Sequence, residues 1–580
     1  RQLAETASPL YDNPLFANKQ IADAILSGNE IGPIKNKYWQ TYLLLQGHTR
    51  AAKTVYSLTA ISRNFLGAAW MSMGAGYMRP AHLKGIRDVA KGLSMFSDDV
   101  LGAEIEKGIY LGNIQSGTDI GSFRGALKDA GESSFWDGKN ASVQTKKGLV
   151  ARAKHFNTSA VKFYQSMDDM WKQFAFLNEK SNYGKVLADK AEAIKIRKEA
   201  GEQLSSEEDR IYQAILKARQ QGKAYNPEED IIKEWMSGTG VQIKISALDE
   251  YAAHQVSRHM QNYAGVPQFV RAARLLPIAD FLAFTTEMLR TQKNILKDSF
   301  KDMREGRELM KLGLRNEDGT LMGQAQAAVG ERRLGSIIAA QSAAPAIAYT
   351  SAQLTGMNEK AKDAKGNERD VPYTIREGFQ GFGKPWEKGA DWLWLGKAKD
   401  GKVRRVNLSY INPWGKIKDP IVAASRAYTR GEYVDGAIQE AMKETMWRPI
   451  TEALGVSMLA DSIVGLDRNI DQYGRPIWRE DDPLFEKIRK GAIHEVETFE
   501  PGFLKFARET SKIYTMPEET LTEKREVPFF DIPYETKIGV MKGGRKLYED
   551  DQWMSQLGIK PQTLDIKEQI GYKLNSFKRR

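Results

Sequence analysis

The sequence predicts a mainly α-helical fold: an elongated multi-helix bundle with one small β-hairpin and an extended C-terminal arm. Three observations predict it. Apolar residues recur at three- and four-residue spacing over most of the first 355 residues. Period-two alternation is nearly absent there. Further on, one Asp-Gly pair stands between two strand-like runs, which is a hairpin signal.

Helical periodicity covers Asn13 to Ser27, Thr54 to Met78, Lys146 to Leu187, Ser205 to Gln221, Glu229 to Ser237 and Ile278 to Arg304. Ser206 before Glu207-Glu208 marks a start, as does the acidic turn Asn226-Pro227-Glu228-Glu229-Asp230. Gly184 and Gly238 read as stops. Asn358 to Lys388 is polar and Gly-rich and reads as a linker. Trp392-Leu393-Trp394-Leu395 then leads through Asp400-Gly401 into Val403-Arg404-Arg405-Val406, the predicted hairpin. Helices resume from about Ile421 to Leu466, and a last short one is expected near Ile566 to Leu574. These textures divide the chain into an N-terminal helical region (1–140), a long-helix bundle (141–310), an Ala-rich helix with its linker (311–390), the hairpin (391–414), a C-terminal helical region (415–514) and a charged arm (515–580) broken by Pro517, Pro528 and Pro533.

Composition excludes several classes. At 41% hydrophobic and 10% aromatic, the 580 residues are too apolar for an intrinsically disordered chain. The sequence has no cysteine, which removes disulfides, thiolate nucleophiles and zinc ribbons. Such a chain suits passage between reducing and oxidising compartments; chance in a cytosolic protein gives the same result. The net charge of +11 favours contact with DNA or anionic lipid without specifying either. The chain opens on Arg1, with no apolar leader after it, and reads as a segment of a longer or processed polypeptide.

Two runs have the length of a membrane span. Thr54 to Met78 has 25 residues with Arg63 as its one charge, and Leu334 to Asn358 has 25 with none. Polar residues dilute the first and alanines weaken the second, so buried packing surfaces compete with membrane entry.

Catalytic patterns are sparse. His254 and His259 are five apart, off the four-residue spacing of helical metal ligands. There is no Walker A sequence, no G-x-S-x-G elbow and no Asp-rich metal loop. Glu132-Ser133-Ser134-Phe135 resembles the opening of a lytic transglycosylase site, whose single carboxylic acid protonates a glycosidic oxygen. The Met-Gln that such families carry a dozen residues on is missing, since Lys146-Lys147-Gly148-Leu149-Val150 stands there. The residues therefore predict no enzyme and no cofactor or metal site.

Three patches stand out. The first is Thr59 to Gly67, with Thr59, Arg63, Asn64 and Phe65. The second is Leu276 to Thr291, with Pro277, Phe281, Phe284, Glu287 and Arg290. The third is Val406 to Trp414. In content and order they resemble the internal core, or DNA-ejection, proteins of short-tailed bacteriophages. The resemblance implies a structural virion protein held inside the capsid above the portal. It would leave with the genome and help build a conduit through the host envelope. It implies as partners further copies of the same chain and other core or portal proteins, with non-specific DNA contact and host-membrane contact after ejection. Two other readings stay open: a peptidoglycan-cleaving virion protein, and a DNA-binding or virion RNA polymerase-associated one.

The patches read physically as packing surfaces. Phe281, Phe284 and Met288 share a helix face, and Glu287 and Arg290 are placed to pair. Arg290 and Asn294 are placed to bond a neighbouring backbone or subunit. Arg63, alone in an uncharged run, needs a carboxylate or a helix C-terminus beside it. Arg63, Asn64, Phe281, Phe284, Glu287 and Arg290 are the expected packing and oligomer contacts.

Overall fold

The computed structural model describes residues 56–78, 144–236, 242–261, 282–316, 318–359, 390–397, 402–412, 458–469, 476–514, 522–527, 532–540 and 546–564, with 38, 41, 45–47, 49, 52–54, 111 and 414 besides. Most of these are helical, and the rest include small antiparallel sheets.

Helix α1 (Leu58–Gly74) is capped by Ser57, whose side chain accepts from the Ala60 N–H. Helix α2 (Gln144–Glu199) runs for 56 residues. Gly184, expected to stop it, lies in its interior. The helix passes because its neighbours Tyr183 and Val186 are fully buried against Leu248 and Val329, outweighing the lower propensity of one glycine. Helix α3 (Ser206–Gln220) starts at a capping box in which Ser205 and Glu208 bond each other's backbone N–H.

The segment read as a helix from Glu229 to Ser237 is instead strand β1 (Ile231–Met236), paired antiparallel with β2 (Gln242–Ser246). Strand β2 alternates exposed and buried along Gln242-Ile243-Lys244-Ile245, a half-buried strand pattern that was there to be read. Ser246 then caps helix α4 (Ala247–His259) through a second capping box with Asp249.

Helices α5 (Leu282–Lys311) and α6 (Gln324–Leu354) form an antiparallel pair. Their axes come close because glycine sits at the contact. A Cβ on Gly330 would lie 2.5 Å from the Ser299 carbonyl oxygen of α5. Gly323 turns the chain into α6 with φ +83°, a left-handed conformation that glycine adopts without strain. The helices α1, α2, α4, α5 and α6 share one core built around Met71, Trp171, Phe174, Val256, Met288 and Ile337.

The predicted hairpin is present as β3 (Trp392–Lys397) and β4 (Val403–Asn407). It packs Trp392 and Trp394 on the end of α6, and the Trp394 N–H donates to the Ser351 hydroxyl at 3.0 Å. Helices α7 (Met458–Asp467), α8 (Leu484–Phe499) and α9 (Gly502–Tyr514) follow.

The C-terminal part departs from an extended arm in its described residues. Strands β5 (Thr522–Val527), β6 (Ile532–Val540) and β7 (Lys546–Tyr548) form one sheet. Helix α10 (Glu549–Gln556) leads to β8 (Pro561–Leu564), which pairs with β4 and turns the hairpin into a three-stranded sheet. Pro533 is tolerated inside β6 because β7 pairs only with Ile538 to Val540, so that stretch of β6 is an edge on its far side. Asn13 to Ser27, 421–457 and 566–574 lie outside the described residues.

Gly330→Ala is expected to lower the urea midpoint by the equivalent of about 1–3 kcal/mol, because the added methyl meets backbone. Tryptophan fluorescence during urea unfolding checks it. An unchanged midpoint would show that α5 and α6 do not touch at this glycine.

Candidate functional site

Among the described residues, the densest set of ionisable side chains lies inside the helical core. Along α2, Phe176, Glu179, Tyr183 and Val186 follow one another at three- and four-residue steps, and all four are fully buried. Glu179 therefore occupies a seam position in an apolar stripe. On α6, Arg333 holds the same kind of position next to Ile337 and Ala340. On α5, Asp298 and Asp302 follow Ile295.

These side chains meet. Arg333 donates from one guanidinium nitrogen to Glu179 and from the other to Asp302 Oδ2 at 2.8 Å and the Tyr183 hydroxyl at 2.6 Å. The Tyr183 hydroxyl donates to Asp302. Beside this set lies His259 at the end of α4, with no exposed surface. Its Nε2 lies 2.9 Å from Asp298 Oδ2 and its Nδ1 3.2 Å from the Tyr77 hydroxyl and 3.6 Å from Glu179. Asp298 also takes both ends of the Arg258 guanidinium, at 2.7 and 2.8 Å. An ionised carboxylate only accepts, so the His259 Nε2 carries a proton.

Further ties radiate outward. Lys180 pairs with Asp249 of α4 at 2.7 Å and Lys190 with Glu305 of α5 at 3.0 Å. Asp189 accepts from the Gly323 N–H at the start of α6, placing negative charge at a helix N-terminus.

The electrostatics follow from burial and pairing. Burial pushes the Glu179 carboxyl up, but Arg333 and then His259 outweigh it and hold the group below its ordinary range. Asp298 shows the same balance: burial raises it, and the bonds from His259 and Arg258 bring it well below. Burial drives Tyr77 and Tyr183 well above the usual phenol range, so both stay protonated. Chemically the arrangement is a lock of fixed charges. Glu179, His259 and Tyr77 have no solvent-exposed surface, so a reacting molecule reaches them only if the helices part.

The sequence-predicted residues lie elsewhere. The Arg63 Nε donates to the Gly558 carbonyl at 3.1 Å, just past the end of α10, and its guanidinium stands 4.6 Å from the Tyr410 ring centre. Asn64 is exposed. Glu287 is fully buried and takes Arg290 at 2.8 to 3.1 Å. Arg290 also donates to the Met260 carbonyl at 3.1 Å, and Asn294 to the Arg258 carbonyl at 3.2 Å, both at the end of α4. Phe284 is half-exposed, Met288 is buried in the core, and Phe281 lies outside the described residues. Glu132 lies outside them too. None of the five that are described belongs to the ionic centre, which the sequence reading missed. The signal available was a charge at a seam position on each of three helices.

Among the described residues no cluster of three or more His, Asp or Glu side chains is placed to hold a metal ion, and no helix is long and apolar enough to cross a membrane. Comparison with family models, with curated proteins and with solved structures returns no match.

Glu179→Gln is expected to destabilise the fold by about 3–5 kcal/mol, because it leaves Arg333 buried with less opposing charge. Urea unfolding reads this, and a change under about 1 kcal/mol would mean that water reaches and screens the centre. The pH dependence has a defined sign. Asp298 and Glu179 have lowered folded-state values, so their contribution is complete above their unfolded range near pH 4 and is lost as pH falls through the lowered values. Melting temperature should hold from neutral pH to about pH 5 and drop below about pH 4, and Asp298→Asn should flatten that drop. A Tm that falls equally in wild type and Asp298→Asn would remove Asp298 as a cause.

Proposed function

We propose that this chain is a structural component of a tailed-phage virion, an internal core or ejection protein that works in several copies and helps deliver the genome through the host envelope. The observation that carries this reading is that the three patches resembling such proteins converge on one packing unit. Trp414 of the third patch inserts against α1, its indole N–H donating to the Trp70 carbonyl at 2.9 Å, and Tyr410 stands by Arg63 of the first patch. Met288 of the second patch shares the core with Trp414 and Met71, and Phe65 packs on it. Segments that lie hundreds of residues apart are thus spent on holding one another.

Other features support the same reading. The sequence has no cysteine, which suits a chain that crosses compartments of opposite redox poise. The net charge of +11 suits a protein packed beside DNA. On α8, Leu484, Phe485, Ile488 and Val496 are exposed, an apolar face of the kind that contacts between subunits cover. In this reading the helical regions stack into an elongated bundle. The capsid interior is its first location and the host envelope its second.

Mass spectrometry of purified virions that carry this gene tests the proposal. The chain should be present in several copies per particle, and should leave the particle when ejection is triggered in vitro. Its absence from purified virions would overturn the reading.

A further inference from the structure

Helix α6 has two faces, and among the described residues only one is buried against the rest of the chain. Arg333, Ile337, Ala340, Ala344 and Ala348 are buried in the bundle. On the opposite side Gly335, Ala339, Ser342, Ala346, Tyr349 and Gln353 all reach the surface. Their spacing of four, three, four, three and four residues is that of a coiled-coil seam. Ile338, Ile347 and Leu354 flank it, and with Tyr349 these large residues are 43% to 68% exposed. No charged residue occurs from Leu334 to Asn358. A helix without a charged face is ordinarily covered on all sides.

We propose that this face binds the same face of a second copy, in antiparallel orientation about a two-fold axis near Ala344. The inference rests on the multi-copy reading above and names the contact it uses. Charge argues for a like partner: at +11, most of the surface repels another copy, whereas this face brings no charges together. Shape argues for the orientation. With the axis at Ala344, Gly335 stands opposite Gln353, Ala339 opposite Tyr349, and Ser342 opposite Ala346. Large residues then face small ones, and small residues meet at the centre, where the helices come closest. The space over Gly335 is open, with nothing within 4 Å of a Cβ built there. A lipid occupant is disfavoured because Leu334 to Asn358 brings no basic residue to meet anionic headgroups.

Area sets the strength. A run of 20 residues is about 30 Å long and offers roughly 300 Å² per copy, against about 800 Å² per partner in a standard stable interface. The contact therefore holds alongside others in an assembly, and alone gives concentration-dependent association.

The cysteine-free chain allows a clean test. Full-length Ser342→Cys and Ala346→Cys chains are mixed and oxidised. The mixed disulfide should exceed either homodisulfide, because residues 342 and 346 face each other across the axis. Ala346→Glu should raise the concentration needed for association at least about tenfold by sedimentation velocity, since it buries a charge at the seam. Equal homodisulfides, or association indifferent to Ala346→Glu, would overturn the proposal. So would a thiol in the Ser342→Cys chain that is protected from maleimide only when phosphatidylglycerol vesicles are added, which assigns the face to lipid. The two readings fail separately. A chain present in virions whose Ala346→Glu variant assembles normally sinks only the α6 contact. A mixed disulfide in a chain absent from virions sinks only the virion reading.

Discussion

Arg333 is the constraint around which the helical core is arranged. A guanidinium with 1% exposed surface persists only where opposite charge and hydrogen-bond acceptors arrive together. Glu179 from α2, Asp302 from α5 and the Tyr183 hydroxyl supply them, so three helices must meet in one register for any of the charges to be satisfied. Replacing such a set with apolar side chains often leaves stability unchanged or raises it, and its value lies in specifying the arrangement. That matters for α2, a helix of 56 residues about 84 Å long, whose apolar stripe alone would permit slippage by a turn or more. Lys180, Asp189 and Lys190 repeat the constraint along the same helix, each meeting a different neighbour.

Two arginines outside this centre solve a related problem by a different route. Arg63 and Arg290 each turn a guanidinium onto carbonyls at the end of a helix, α10 in one case and α4 in the other. The α4 carbonyls, of Arg258 and Met260, lack an intrahelical donor and carry the negative end of the helix dipole, whereas the Gly558 carbonyl lies just past α10. One side chain thereby satisfies acceptors and ties distant segments: Arg63 joins α1 to the C-terminal region, and Arg290 joins α5 to α4. Arg290 also neutralises the buried Glu287 one turn before it.

Much of the helical framework was legible because its signals are local. Ser206 ahead of Glu207-Glu208 (one residue past the true cap, Ser205), the periodicity of α1 and α5, and the Asp-Gly pair before Val403 each depend on residues a few positions apart. The misreadings share the opposite cause. Ile231, Ile232, Trp235 and Met236 fit a helix as well as a strand. The decision falls to pairing with β2, which leaves Ile231 and Ile232 exposed. Strand β8 exists because β4 offers it an edge more than 150 residues upstream, a partner no local pattern announces. The ionic centre was illegible for the same reason. Glu179, Asp302 and Arg333 each look like surface charges until three helices are superposed.

The lock also bears on what the core can do. A reaction centre needs at least one group whose proton is easily moved near working pH, and an opening through which substrate arrives. Here the pairings push the ionisable groups apart: Glu179 and Asp298 are held ionised, and Tyr77 and Tyr183 are held protonated. Each group is fixed in the state that its neighbours require, so a proton moved at one leaves a buried charge unbalanced at the next. Chemistry at such a centre would have to disturb the contacts that align α2, α5 and α6. The same side chains therefore serve the alignment of helices far better than turnover.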